Sequence, residues 1–138
     1  MADGDHKLEA QVLTPHGPMF EGELFMLSTR TSVGDVGIRA RHAPMVARLV
    51  PCELRLHKSE GDVEHYAQGE GWLEVFANRA RVLIAEAIRP EDLDPGELDE
   101  RLREAERRVD ESEEGSAARE RAEREQRRFE AFREIAGR

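Results

Sequence analysis

The chain has 138 residues, a net charge of −9 and 37% charged side chains, enough for one compact domain with an appendage. A negative total argues against non-specific nucleic-acid binding despite the many arginines, and no apolar run approaches the ~20 residues that a membrane span needs. The polar start MADGDHK lacks signal-peptide character, and the lone Cys52 cannot form an internal disulfide, which points to a reducing compartment.

From Lys7 to about Ala87 the apolar residues recur at every second position, the period of half-buried strands. Leu8, Ala10 and Val12 share one face of a segment that ends in the turn cluster Thr14-Pro15-His16-Gly17-Pro18. Leu24, Met26 and Ser28 alternate with Phe25, Leu27 and Thr29, which predicts one strand covered on both faces. Thr31 to Pro44, TSVGDVGIRARHAP, carries glycines at 34 and 37 but runs into no helix, so a phosphate cradle is excluded and a tight hairpin turn is expected. That turn would hold Asp35 at its apex, with Arg39, Arg41 and His42 close behind on the same edge. Cys52, Leu54 and Leu56 alternate with Glu53, Arg55 and His57, so Cys52 reads as a small core residue rather than a nucleophile. A hairpin follows, with Ser59-Glu60-Gly61-Asp62 at its tip, and a second joins Trp72–Phe76 to Arg81–Ala85 through Ala77-Asn78-Arg79. Short strands spaced by turn signals predict an all-β sandwich or flattened barrel, without the interleaved helices of a parallel sheet.

At Glu91 the period changes. Leu98, Leu102, Ala105 and Val109 form one helical stripe, started by Asp94 as N-cap, Pro95 at the first helical position and Glu97 at capping-box spacing. Gly115 ends this helix and Ser116 caps a second, on which Ala118, Ala122, Phe129, Phe132 and Ala136 fall roughly on one stripe around Gln126. An antiparallel hairpin is the simplest arrangement. Its alanine-rich stripes stabilise by only about a few kcal/mol, less than the backbone entropy of ordering so many residues. The hairpin is therefore expected to be marginal alone and to move readily. The Arg-rich second helix admits three readings: a solvated face with Glu–Arg pairs, a nucleic-acid helix disfavoured by its glutamates, or a docking helix for an acidic protein surface anchored by Phe129 and Phe132.

Enzyme signatures are missing: no nucleophile elbow, Walker loop, cysteine pair or dinucleotide fingerprint occurs. The carboxylate pairs sit in solvated helices where nothing would raise a pKa for acid catalysis. His57 and His65 flank one turn and could face each other, with Asp62 or Glu64 as third metal ligand, although histidine pairs of this kind are common on wet surfaces.

The order of segments resembles the epsilon subunit of bacterial F-type ATP synthase over nearly the whole chain. The resemblance is carried by TPHGPMFEGE (14–23), GDVGI (34–38), RHAPMVARLVP (41–51), GEGWLEV (69–75) and EDLD (91–94), followed by a helical hairpin. It implies a ten-stranded β-sandwich at 1–88, a C-terminal helical hairpin at 89–138, and no catalysis or cofactor. It further implies a peripheral place on the cytoplasmic side of the cell membrane, joining the gamma subunit to the c-subunit ring. The helices would restrain ATP hydrolysis by rising toward the alpha and beta subunits. The segment matching Gly34 and Asp35 would face the ring, with Asp35 the first choice for a ring contact and His42 the second. The stretch around His42 would also lie at the contact with gamma, and Arg39 and Arg41 would bear on gamma or the ring. Arg39-Ala40-Arg41 stands where the family often has Leu-Pro-Gly, so the turn geometry is expected to differ. Arg119, Arg121, Arg124, Arg127 and Arg128 match the helix that meets an acidic segment of beta. Some members hold ATP through Ile or Leu, Asp, two residues, Arg, Ala; here Leu93, Asp94 and Glu97 leave that segment degenerate, with glutamate in place of arginine, and no ATP binding is expected. The competing reading is a free-standing β-sandwich adaptor with a coiled-coil handle.

Overall fold

The computed structural model describes residues 6–138, so most of the polar start lies outside the described residues. Ten strands precede two helices: β1 (Leu8–Thr14), β2 (Gly17–Leu24), β3 (Met26–Thr31), β4 (Gly34–Ile38), β5 (Met45–Leu49), β6 (Cys52–Ser59), β7 (Asp62–Gln68), β8 (Gly71–Phe76), β9 (Arg79–Ile84), β10 (Ala87–Ile88), α1 (Pro95–Glu111) and α2 (Ala117–Ala136). The strands pair in the order β10-β7-β6-β3-β5-β8-β9-β1-β2, with β4 attached to β3 alone. The sheet curls over itself until β2 approaches β6, giving the expected sandwich or flattened barrel. Every pairing among the described strands is antiparallel except β1 with β9.

Period-two alternation becomes a dry interior. β9 alternates strictly between exposed and buried residues, and Leu8, Val12, Leu27, Leu54, Leu73 and Val82 are fully buried in one cluster. The single strand expected around Phe25 is instead a corner. Leu24 still pairs with Leu8 of β1, whereas Met26 pairs with His57 of β6, so the chain changes partner at Phe25. One buried polar group is fully satisfied: Gln68 accepts from Thr29 Oγ1 at 2.6 Å and donates to the Val50 carbonyl at 2.9 Å. Beside it, burial pushes the Cys52 thiol up, the opposite of what a nucleophile needs. Where β8 meets β9, a Cβ on Gly71 would lie 1.9 Å from the Leu83 carbonyl oxygen, so only glycine fits.

The two helices are antiparallel, with Asp99 meeting Arg133 at 2.6 Å near one end and Arg108 meeting Glu125 at 3.4 Å near the other. Asp94 caps α1 by accepting from the amides of Gly96 and Glu97. The reciprocal half of the expected capping box is absent, because Glu97 turns outward to Arg101. Ser116 caps α2, accepting from the Arg119 amide at 3.1 Å, after a left-handed Gly115. The buried stripe of α2 is Ala122, Phe129, Phe132 and Ile135. Ala118 is exposed and Ala136 only half-buried, because the helix rotates its larger Ile135 inward. Phe129, Phe132 and Ile135 form a second, smaller cluster with Leu98, Ala105 and Ala67 of β7, which seats α2 over β6 and β7.

Between β4 and β5, Arg41 adopts φ 67°, the left-handed conformation. Its amide donates to Asn78 Oδ1 at 3.0 Å, and Asn78 itself is left-handed at φ 62°. The turn therefore keeps a glycine-like backbone at the position where the resembled family often has glycine, despite the bulkier residue. A left-handed non-glycine residue costs about 1–2 kcal/mol, partly offset here because glycine is freer in the unfolded chain. Arg41→Gly is thus expected to stabilise by about 0.5–1 kcal/mol, read as a rise of ~2–4 °C in thermal melting.

Candidate functional site

Three surfaces of the head and one of the hairpin bring the candidate residues together. The first is the β3–β4 tip. Thr31 Oγ1 bonds the Gly34 carbonyl at 2.9 Å and accepts from the Val33 amide at 3.2 Å, closing a tight loop in which Gly34 takes φ 134°. The Thr14–Gly17 turn closes in the same way. Asp35 is not at the apex: it lies on β4 opposite Arg30, whose Nε donates to its Oδ1 at 2.7 Å. The apex is Val33, 94% exposed. Bonding to Asp35 raises the Arg30 pKa further above its already high range. Asp35 is thus an exposed carboxylate already engaged on one side.

Arg39, Arg41 and His42 are at the far end of β4, not behind Asp35 on one edge. At ~3.3 Å per residue the four steps from Asp35 to Arg39 span about 13 Å. There the Arg39 guanidinium lies 4.7 Å from the Phe25 ring centroid, and His42 Nδ1 is 2.7 Å from the Ala43 carbonyl. Asn78 ties this loop to the start of β1 by donating to the Lys7 carbonyl at 2.9 Å.

The third surface was not singled out from the sequence. Val46, Trp72, Phe76 and Leu83 are all exposed, Trp72 by 53% and Phe76 by 66%. Register puts them on one outward face: Val46 stands opposite Glu74, in phase with Trp72 and Phe76, and Leu83 opposite Trp72. Glu74 lies between Trp72 and Phe76 on this face, and Arg48, Arg79 and Arg81 stand opposite Trp72, Phe76 and Glu74. The four large apolar side chains are thus set among charges, the mixed character of an interaction surface. The alternation already set Trp72 and Phe76 out of phase with Leu73 and Val75, which is the signal that could have found it.

On α2 the candidate arginines divide. Arg124 meets Glu70 at 3.9 Å and Arg128 meets Glu86 at 3.2 Å, both on the sandwich. Arg119 stays local, 3.8 Å from Glu123 and bonded to the Ser112 carbonyl. Arg121 and Arg127 form no ion pair among the described residues. Beyond the helix, Arg138 reaches Glu53 at 3.3 Å. A polar cleft of about 390 Å3 there also takes in Arg30, Asp35, Arg55 and Glu134, so the end of the hairpin and the β3–β4 tip border one cavity. No large hydrophobic residue on either helix is exposed, which leaves no seam for a coiled-coil handle.

The remaining candidates do not converge on catalysis. His57 pairs with Val63 and His65 with Arg55, so the two histidines are diagonal rather than facing. His57 bonds Ser28 at 3.3 Å, and burial, then the nearby Arg55 charge, lowers its pKa. His65 leans 3.6 Å from Glu53, and Glu64 is taken by Lys58 at 3.0 Å. Among the described residues no cluster of three histidine, cysteine or acidic side chains is placed to hold a metal. No helix is long and apolar enough to cross a membrane. At the degenerate segment, Leu93 is half-buried, Asp94 is spent on the helix cap and Glu97 pairs with Arg101 at 2.8 Å. The cleft there sets the carboxylates of Glu86, Asp92, Asp94 and Glu97 against only Arg101 and Arg128.

Residues 7–90 match the family model of the ATP synthase Delta/Epsilon chain, beta-sandwich domain. The ATP synthase epsilon chain of Priestia megaterium is 37% identical over 103 residues, 75% of this chain and 76% of that protein. That of Halorhodospira halophila is 37% identical over 105 residues, 74% of this chain and 73% of that protein. A chain in the cryo-EM structure of the Euglena gracilis mitochondrial ATP synthase, OSCP/F1/c-ring, superposes with a TM-score of 0.82 at 22% identity, covering 99% of this chain and 88% of that one. A chain of the Tetrahymena thermophila mitochondrial ATP synthase central stalk and c-ring gives 0.62 at 16% identity, covering 95% and 97%. At such identities the two solved structures share the fold. With the sandwich matched from end to end and relatives above a third identical, the chain belongs to the ATP synthase epsilon chain family.

Proposed function

We propose that this chain is a non-catalytic central-stalk subunit of a rotary, proton-coupled ATP synthase, peripheral to the cytoplasmic side of the membrane. Its head, residues 1–88, joins gamma to the ring of c subunits, and its hairpin, residues 89–138, regulates ATP hydrolysis. The observation that carries this reading is the outward face of Val46, Trp72, Phe76 and Leu83, large apolar side chains set among Glu74 and arginines on a head of this family, the surface we assign to gamma. The β3–β4 tip, with Gly34, Asp35 and its clamp Arg30, is assigned to the ring. A charge held in place by a neighbour suits a joint that must transmit torque without slipping. Arg39, Arg41 and His42, at the other end of β4, fit an edge of the gamma contact. Arg119, Arg121, Arg124, Arg127 and Arg128 are assigned to alpha and beta when the hairpin rises; Arg124 and Arg128 must first leave Glu70 and Glu86.

ATP does not fit as a resident ligand. Four carboxylates against two guanidiniums repel a triphosphate, and the helix cap occupies Asp94. The coiled-coil handle of the adaptor reading has no matching feature, since neither helix exposes a large apolar side chain.

Three measurements test the proposal. Tagged chain drawn from detergent-solubilised membranes is expected to bring alpha, beta, gamma and c with it, and Trp72→Glu to cut that recovery about tenfold or more. Retention of full recovery by the variant would remove this face from the gamma contact. Asp35→Lys, in membranes where assembly is intact, is expected to lower proton-driven ATP synthesis several-fold; unchanged coupling would count against the ring assignment. Millimolar ATP is expected to leave the melting temperature of the isolated chain within about 1 °C of its value without nucleotide. A rise of several degrees would show that the segment binds ATP after all.

A further inference from the structure

The seat of α2 on the head contains the only two buried side-chain polar atoms without a hydrogen bond among the described residues, Glu86 Oε1 and Arg128 Nε. They belong to one contact, with Arg128 Nη1 3.2 Å from Glu86 Oε1. The charges are close, but the guanidinium is turned so that its Nε faces no acceptor. Its plane lies 4.6 Å from the Phe129 ring centroid instead. On the head side the contact is framed by backbone bonds. The Gly69 amide donates to the Glu86 carbonyl at 2.9 Å and the Ala85 amide to the Glu70 carbonyl at 3.0 Å, locking the two glutamate-bearing turns together. Gly69 also leaves the space that the Glu86 side chain crosses: a Cβ there would come within 3.0 Å of Glu86 Cγ. The head thus builds a firm platform for Glu86 and then meets it with an arginine whose bonding is incomplete.

We propose that the Glu86–Arg128 contact is the release latch of the hairpin, an under-bonded ion pair that holds α2 down while keeping the lowered position easy to leave. A buried donor or acceptor with no partner loses its hydration without compensation, so the contact adds alignment but subtracts stability. Of the neighbouring pairs, Arg124–Glu70 at 3.9 Å is open to water and weak, and Arg138–Glu53 at 3.3 Å joins an arginine half open to water to a glutamate already shared with Arg55. Lifting α2 therefore frees Arg128 to complete its bonding elsewhere, in water or on another carboxylate. The consequence for hydrolysis rests on the regulatory reading above, whereas the latch is a property of the isolated chain.

Amide hydrogen exchange on the isolated full-length chain tests it. The double variant Glu86→Leu with Arg128→Leu, which replaces both imperfect partners by apolar groups, is expected to slow exchange across α2 by about tenfold. Glu86→Ala, which leaves the half-buried Arg128 without its carboxylate, is expected to speed it by a similar factor. Arg128→Lys, a milder change that removes the unbonded Nε and keeps the charge, is expected to slow it. Exchange of the β6 and β7 amides in the same samples shows that the head is intact. Should the double variant and Arg128→Lys leave α2 exchange unchanged or faster, the contact is an ordinary stabilising bridge and the latch is refuted. Slower exchange with no change in hydrolysis by assembled membranes would keep the latch and remove the regulatory role of the hairpin.

Discussion

Leu8, Val12, Leu27, Leu54, Leu73 and Val82 expose nothing and meet between the layers of the curled sheet, so each strand's register is decided by the face it must bury. A shift of one residue in any of them would carry its apolar set into water. What lies outside is then determined too. Trp72 and Phe76 point outward because Leu73 and Val75 point inward, and Asp35 faces Arg30 because β3 and β4 pair without a slip. The surfaces assigned to partners are by-products of how the interior is packed.

The hairpin obeys a different balance. Its apolar cluster is small, drawing only Ala67 of the buried sandwich residues into contact with Leu98, Ala105, Phe129, Phe132 and Ile135. Charges supply much of the remaining seat, and most are partly open to water, where an ion pair is worth little. A cooperative interior beside a lightly held appendage lets one part move while the other keeps its shape. Arg124 and Arg128, two of the arginines proposed to meet alpha and beta, are turned toward glutamates of the chain's own head.

Much of the head was legible because period two is a local property. The β6–β7 tip falls at Ser59–Asp62 as the turn residues require, with Gly61 at φ 85°. The start of α1 follows from Asp94-Pro95 for the same reason: a cap and its helix are a few residues apart. What stayed hidden depends on residues distant in sequence. The clamp on Asp35 needs the pairing of two strands, the corner at Phe25 needs a change of partner, and the meeting of Glu86 with Arg128 needs a helix laid across two turns. The choice of Ile135 over Ala136 as the buried residue depends on how α2 is rotated against β7. The repeated Thr-x-x-Gly of 14–17 and 31–34 was a readable sign that Val33, not Asp35, forms the apex.

The one parallel seam, β1 along β9, joins segments some 70 residues apart, as in the bond from Arg81 to Gln11. Such a seam forms late in folding, because a long stretch of chain must be gathered before it gains anything. It is nonetheless complete at Leu83, before the first helix begins. During synthesis the head can thus shut like a clasp ahead of the helices, and a chain cut short after β10 would still own a finished barrel with every strand in place.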